Sequence, residues 1–142
     1  MTVRHLALAL CLIATGALAH DNVQNPSVQA RMQMMKDIKA ATGVLGNMAK
    51  QPASYSQADA EAAAAKLADL AGRIPAAFED AATDPQSESS PAIWDNWNDF
   101  TAKAAALQSA AQDMDAGSAE GVAAGMLAIG GACGACHQPY RL

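Results

Sequence analysis

Residues 117–139 read GSAEGVAAGMLAIGGACGACHQP. Ser118 is a residue type that caps helix N-termini. Val122, Met126, Ile129, Cys133 and Cys136 then recur at three- and four-residue steps until Pro139. This spacing predicts a helix of about 30 Å with those side chains on one face. Upstream, Ser90-Pro91 supplies a cap followed by proline at the first helical position. It opens a third predicted helix, striped by Ile93, Trp94, Trp97, Phe100, Ala104, Leu107, Ala111 and Met114. Asn25-Pro26 repeats the signal for a first helix, which Pro52 stops near Lys50. Ser56, with Asp59 three residues on, resembles a capping box and opens an Ala-rich second helix to about Gly72 or Arg73. Residues 75–90 hold Pro85, Thr83 and three serines, so they read as a long loop with one short turn around Phe78. Four helices with short links predict an all-α, antiparallel up-down-up-down four-helix bundle.

Composition points the same way. Of 142 residues, 51% are hydrophobic but only 4% aromatic, so alanine carries about half of the apolar content, more than any other residue, and alanine is the strongest helix former. A β-sandwich would lean on β-branched and aromatic residues. With 16% of residues charged, a disordered chain is excluded as well.

The N-terminus reads as an export signal. Arg4 and His5 precede an apolar run from Leu6 to Ala14, and Ala17-Leu18-Ala19 provides small residues for cleavage. The run is too short to span a bilayer, which needs about 20 apolar residues. We therefore expect a signal peptide over 1–19, a single bundle domain over 20–142, a periplasmic location and no stable membrane anchor after cleavage. Beyond residue 19 the chain has eight basic and fourteen acidic residues, a net charge of −6, and two cysteines. Scattered basic residues in an acidic chain argue against nucleic acid as a partner.

The two cysteines lie in Cys133-Gly134-Ala135-Cys136-His137. On a helix, positions i, i+3 and i+4 share a face, so two thiols and an imidazole converge. This five-residue pattern is the attachment signal for a c-type haem. A redox disulfide would want the motif at the start of a helix, and here it ends one. A zinc site lacks further ligands, and a stapling disulfide leaves His137 unexplained. Haem would also account for Gly130, Gly131 and Gly134, where a missing side chain lets a porphyrin approach the backbone; helix fraying is the alternative.

Together with Gln138-Pro139-Tyr140-Arg141, the motif resembles the C-terminus of class II c-type cytochromes, the cytochrome c′ and cytochrome c-556 group. The resemblance extends to Arg31 with Met34-Met35-Lys36, to Ile74-Pro75-Ala76-Ala77-Phe78, and to Ile93-Trp94 with Phe100. It implies one covalent haem c, with thioether bonds from Cys133 and Cys136 and His137 as the proximal iron ligand. By the same resemblance Arg141 lies near that histidine, Arg31 near a haem propionate and Phe78 against the ring. Dimers through the first two helices occur among such relatives, and Ala60, Ala62, Ala63, Ala64 and Ala65 would permit close packing there; a tightly packed monomer explains them equally well.

The sixth iron ligand divides this family. In the c-556 branch it is a methionine on the first helix; in cytochrome c′ the site is open and takes nitric oxide or carbon monoxide. Four positions after Arg31 stands Met35. With Val28 at zero on a helical wheel, the inward stripe centres near about −60° and Met35 falls at about −20°, inside it. Met32, at about +40°, and Met34, at about −120°, flank the stripe. Core filling is what most methionines on such a stripe do; a haem in the bundle turns the reading toward ligation. The expectation is a non-enzymatic carrier of single electrons between periplasmic redox partner proteins, its acidic surface favouring basic patches on them. Cytochrome c′-type gas binding is the alternative.

Overall fold

The structure is a computed structural model that describes residues 23–142; the expected signal peptide lies outside the described residues. Among the described residues six α-helices follow one another: α1 Pro26–Lys50, α2 Gln57–Gly72, α3 Ile74–Phe78, α4 Ala92–Asp95, α5 Trp97–Gln112 and α6 Ala119–Tyr140. Four of them are long. α1 packs on α2, α2 on α5, α5 on α6, and α6 back on α1, which closes the expected four-helix bundle.

The capping residues act as their chemistry dictates. Asn25 accepts hydrogen bonds from the Ser27 and Val28 amides, Ser56 from that of Asp59, and Ser118 from that of Gly121. The helix interfaces are built from small and branched residues. Leu45, Ala60, Leu67, Ala71, Val122 and Ile129 are completely buried. Ala60, Ala63 and Ala64 face this core, while Ala62 and Ala65 point outward. The alanines of α2 thus serve the monomer's own packing first. At one end of the bundle, Tyr55 Oη donates to the Ala116 carbonyl at 2.8 Å and ties the α1–α2 link to the α5–α6 link.

Three boundaries differ from the sequence reading. The third helix is broken at Asn96, whose backbone leaves the helical region at φ −124° and ψ 43°. Its side-chain amide and its backbone N–H both donate to the Ala92 carbonyl. A short polar side chain competing for backbone partners ends one helix there, and the Asn96 carbonyl starts the next by accepting from Phe100. Met114 is buried beyond the end of α5 rather than on it. The segment after α2 folds at once into α3, then runs irregularly through a turn at Pro85-Gln86 to α4.

The third difference is at Pro139, which lies inside α6 instead of stopping it. Tyr140 is buried and its carbonyl accepts from Ser90, so tertiary contacts hold the last turn around the proline. By length and composition α6 is apolar enough to cross a membrane. Here it is the fourth helix of the bundle, packed along α5 and α1.

Candidate haem site

A cavity of about 940 Å³ opens along the α1 side of the bundle. Its walls come from α1, α5, α6 and the stretch that runs from α3 through α4. The size is that of a cofactor site, and such sites are mostly apolar with a few placed polar groups. Val28, Ile38, Ile74, Phe78, Ile93 and Leu107 supply apolar wall.

On the α6 wall, Cys133, Cys136 and His137 all line the cavity, as the helical spacing requires. Both thiols are free and half-buried. Burial pushes both up from the ordinary thiol range, so each stands as a neutral S–H. Burial and the Arg141 charge push His137 down, with Glu88 opposing. A neutral imidazole offers the lone pair that a metal requires. This donor set, two thiols and one neutral imidazole on the wall of a cavity of cofactor size, fits a covalently held haem.

Met35 lines the cavity from α1. Met32 lines it as well, which the wheel did not anticipate, while Met34 packs against the core instead. The inward stripe used for the wheel merges two faces. Arg31, Ile38, Ala41, Leu45 and Met48 are the side buried against the bundle, and the cavity side is rotated from it toward Met32. Met126, on the striped face of α6, also lines the cavity, close to Gly46 of α1.

Arg31 is 2% exposed. Its guanidinium donates to the carbonyls of Ala77, Asp80 and Ala82 and lies between the rings of Phe78 and Trp94, at 5.0 and 5.4 Å from their centroids. Burial lowers its pKa, Asp80 opposing. Arg31 is therefore the pin that fastens residues 77–82 to α1, at the edge of the cavity. Phe78 is buried in the cavity wall against Phe100, and its carbonyl accepts from Trp94 Nε1.

Arg141 does lie beside His137, and its backbone N–H donates to the His137 carbonyl. Its guanidinium is held by Glu88, with Nη2 2.6 Å from the carboxylate. Around this pair, Ser90 bonds to Tyr140, Leu142 to Glu88, and Ser89 bridges Arg141. The 87–90 segment is thereby clamped over the end of α6 and forms part of the cavity wall. Sequence reasoning missed this clamp; the Asp84-Pro85 pair was the available signal, because it builds the turn that sends the segment back. Asp84 Oδ1 accepts from Gln86, and the Ser87 amide bonds to the Asp84 carbonyl.

Gly130, Gly131 and Gly134 lie along α6 beside the motif. All three are exposed with open space where a side chain would stand, and none lines the cavity.

The family described as cytochrome c′ matches residues 26–141. The chain belongs to the cytochrome c′ family. Cytochrome c-556 of Agrobacterium tumefaciens (strain apple 185) is 40% identical over 117 residues, covering 80% of this chain and 92% of the relative. Cytochrome c-554 of Cereibacter sphaeroides is 35% identical over 144 residues, covering 96% and 94%. A solved structure of cytochrome c′ from Rhodopseudomonas palustris superposes with a TM-score of 0.75 at 27% identity, over 84% of this chain and 98% of that one. As a member of the cytochrome c′ family, the chain is a c-type cytochrome with covalently bound haem c.

Proposed function

We propose that this cytochrome is a periplasmic one-electron carrier of the c-556 type, with His137 and Met35 as axial iron ligands and Cys133 and Cys136 as the covalent anchors. The observation that carries the reading is that Met35, from α1, and His137, from α6, line one cavity. Haem supplies a one-electron iron couple, and a methionine ligand raises its potential. The chain's own residues would hold it: Cys133 and Cys136 would fix its position, and His137 would reach it from the same wall of the cavity. Phe78 covers the cavity wall, and the Glu88–Arg141 pair secures the segment over the His137 end. A filled sixth position leaves the iron no open site for a substrate, which makes the protein a carrier and not an enzyme. Residues 1–19 would direct export.

The test is Met35→Ala in the haem-loaded protein. The expected result is a change from a six-coordinate, low-spin absorption spectrum to a high-spin one that responds to carbon monoxide. A wild-type protein already high-spin and binding carbon monoxide would instead support the gas-binding reading associated with cytochrome c′. A variant that stays low-spin removes Met35 as the ligand, and Met32→Ala is then the next test because Met32 lines the same cavity.

A further inference from the structure

The net charge of −6 beyond residue 19 is not evenly spread. Of eight basic residues, six line the cavity: Arg31, Lys36, Lys39, Lys50, Lys103 and Arg141. Of the thirteen acidic residues among the described residues, only Glu88 does. Among the described residues, an acidic protein therefore gathers most of its basic side chains around the candidate haem site.

Three of the six cations are already engaged. Arg31 is pinned on backbone carbonyls, Arg141 pairs with Glu88, and Lys103 stands 3.2 Å from Asp99. Lys36, Lys39 and Lys50 are exposed, and among the described residues none of them has a salt bridge. Their spacing places them along one edge of α1, a row of about 21 Å. Asp37, the acidic residue of α1, points about 130° away from that row and holds Gln33. Between Lys39 and Lys50, Gly43 leaves open space beside the cavity, so a docked surface can come close to the backbone there. The two propionates of a haem would balance two of these charges and leave a positive surplus.

We propose that this basic rim is the docking surface for an acidic patch on a redox partner protein, which approaches across Lys36, Lys39 and Lys50. This reverses the expectation drawn from the overall charge, that partners present basic patches. An anionic membrane fits less well, because membrane-lying helices bury an apolar face beside their charges. The exposed Val44 lies about 110° around α1 from the lysine row. The inference rests on the electron-carrier reading.

The experiment uses the full haem-loaded protein, reduced and mixed with ferricyanide, a trianion, or with tris(phenanthroline)cobalt(III), a trication. One electron leaves the iron(II) haem, and either oxidant is reduced by one; no proton moves. The ferricyanide rate is expected to fall about tenfold as ionic strength rises from about 0.01 to 0.5 M, while the cobalt rate rises. The triple variant Lys36→Glu/Lys39→Glu/Lys50→Glu should reverse both salt dependences. Lys66→Glu on α2, away from the cavity, should leave the ferricyanide rate within about twofold. A wild-type ferricyanide rate that rises with salt would mean that the overall negative charge governs encounter, and it overturns the proposal. So does a Lys66→Glu effect as large as that of Lys39→Glu. Retention of the protein on phosphatidylglycerol vesicles at about 0.15 M salt would assign the rim to lipid and overturn the protein partner. Absorption spectra of the same samples report iron ligation separately, so failure of the Met35 assignment and failure of the docking surface remain distinguishable.

Discussion

Tyr140 Oη donates to Asp99 Oδ2 at 2.6 Å, joining the last turn of α6 to the first turn of α5 three residues past His137. Lys103 completes the group from the next turn of α5. The bond shifts both partners: Tyr140 is pushed up to about 12, first by the bond to Asp99, and Asp99 is held below the usual carboxylate range, first by Tyr140 and then by Lys103. The depressed Asp99 adds stability above the unfolded carboxylate pKa of about 4, and that stability is lost as pH falls through the lower folded value. The raised Tyr140 adds stability below about 10 that is lost as pH rises through about 12. Tyr140→Phe is expected to lower the urea midpoint at pH 7 and to flatten its dependence on pH at both extremes. Equal pH dependence in variant and wild type would show that the pair contributes nothing.

Arg31 makes a second prediction, about stability more than colour. Replacement by Met keeps much of the volume but leaves three carbonyls of residues 77, 80 and 82 without their donor. Unsatisfied buried acceptors cost about 1–3 kcal/mol each, and solvent reaches some of them once the segment loosens. A loss of about 2–4 kcal/mol in urea unfolding is expected, together with faster amide exchange in 77–84. Arg31→Lys should recover less than half of it, because an ammonium cannot span three carbonyls as the planar fork does. A variant with unchanged exchange in 77–84 would contradict the pin.

The glycines of α6 separate into two kinds. A side chain at Gly121 would meet the Asp115 carbonyl and carboxylate in the turn before the helix. That turn is fixed, since Asp115 accepts from the Gly117 amide and the Ser118 hydroxyl. Gly121→Ala is expected to cost about 1–3 kcal/mol, as overpacking does. Gly131 faces open space, so Gly131→Ala should gain about 0.5–1 kcal/mol from helix propensity and leave haem content unchanged. Thermal unfolding and the haem-to-protein absorbance ratio check both.

The sequence was most legible where chemistry and spacing are local. Asn25-Pro26 and Ser56 began their helices as expected, and the Cys133, Cys136 and His137 side chains meet one cavity because helical geometry allows nothing else. What stayed hidden depends on partners distant along the chain. Arg31 reaches carbonyls 46 to 51 residues away, Tyr140 reaches Asp99 across 41, and Arg141 reaches Glu88 across 53. Their partners are set by how the α3–α4 segment returns over the bundle, which no periodicity encodes. Asn96 and Pro139 mislead in opposite ways: a local side-chain contact to Ala92 breaks a helix that the stripe predicted to be continuous, and a tertiary contact from Ser90 to Tyr140 holds the turn that the proline was expected to end. The wheel of α1 turned Met35 inward, where it lines the cavity, but merged two adjacent faces, because burial against helices and exposure to a cavity select the same apolar residues.

Asp84 governs how that returning segment responds to acid. Its carboxylate accepts from the Gln24 and Asn25 amides just before α1 and from Gln86 in its own turn. The backbone bonds from Gln86 and Gln24 lower its pKa most, partial burial opposes, and Asn25 adds to the lowering. A depressed carboxyl stabilises the fold above the unfolded value of about 4, and this contribution disappears as pH drops through the folded value. Asp84→Asn keeps an acceptor but removes the charge. It should therefore lower stability at pH 7 and lose less between pH 6 and pH 3 than the wild type. Urea midpoints at the two pH values give the comparison, and parallel losses in both proteins would place the acid sensitivity elsewhere, with Asp99 the next carboxylate to replace.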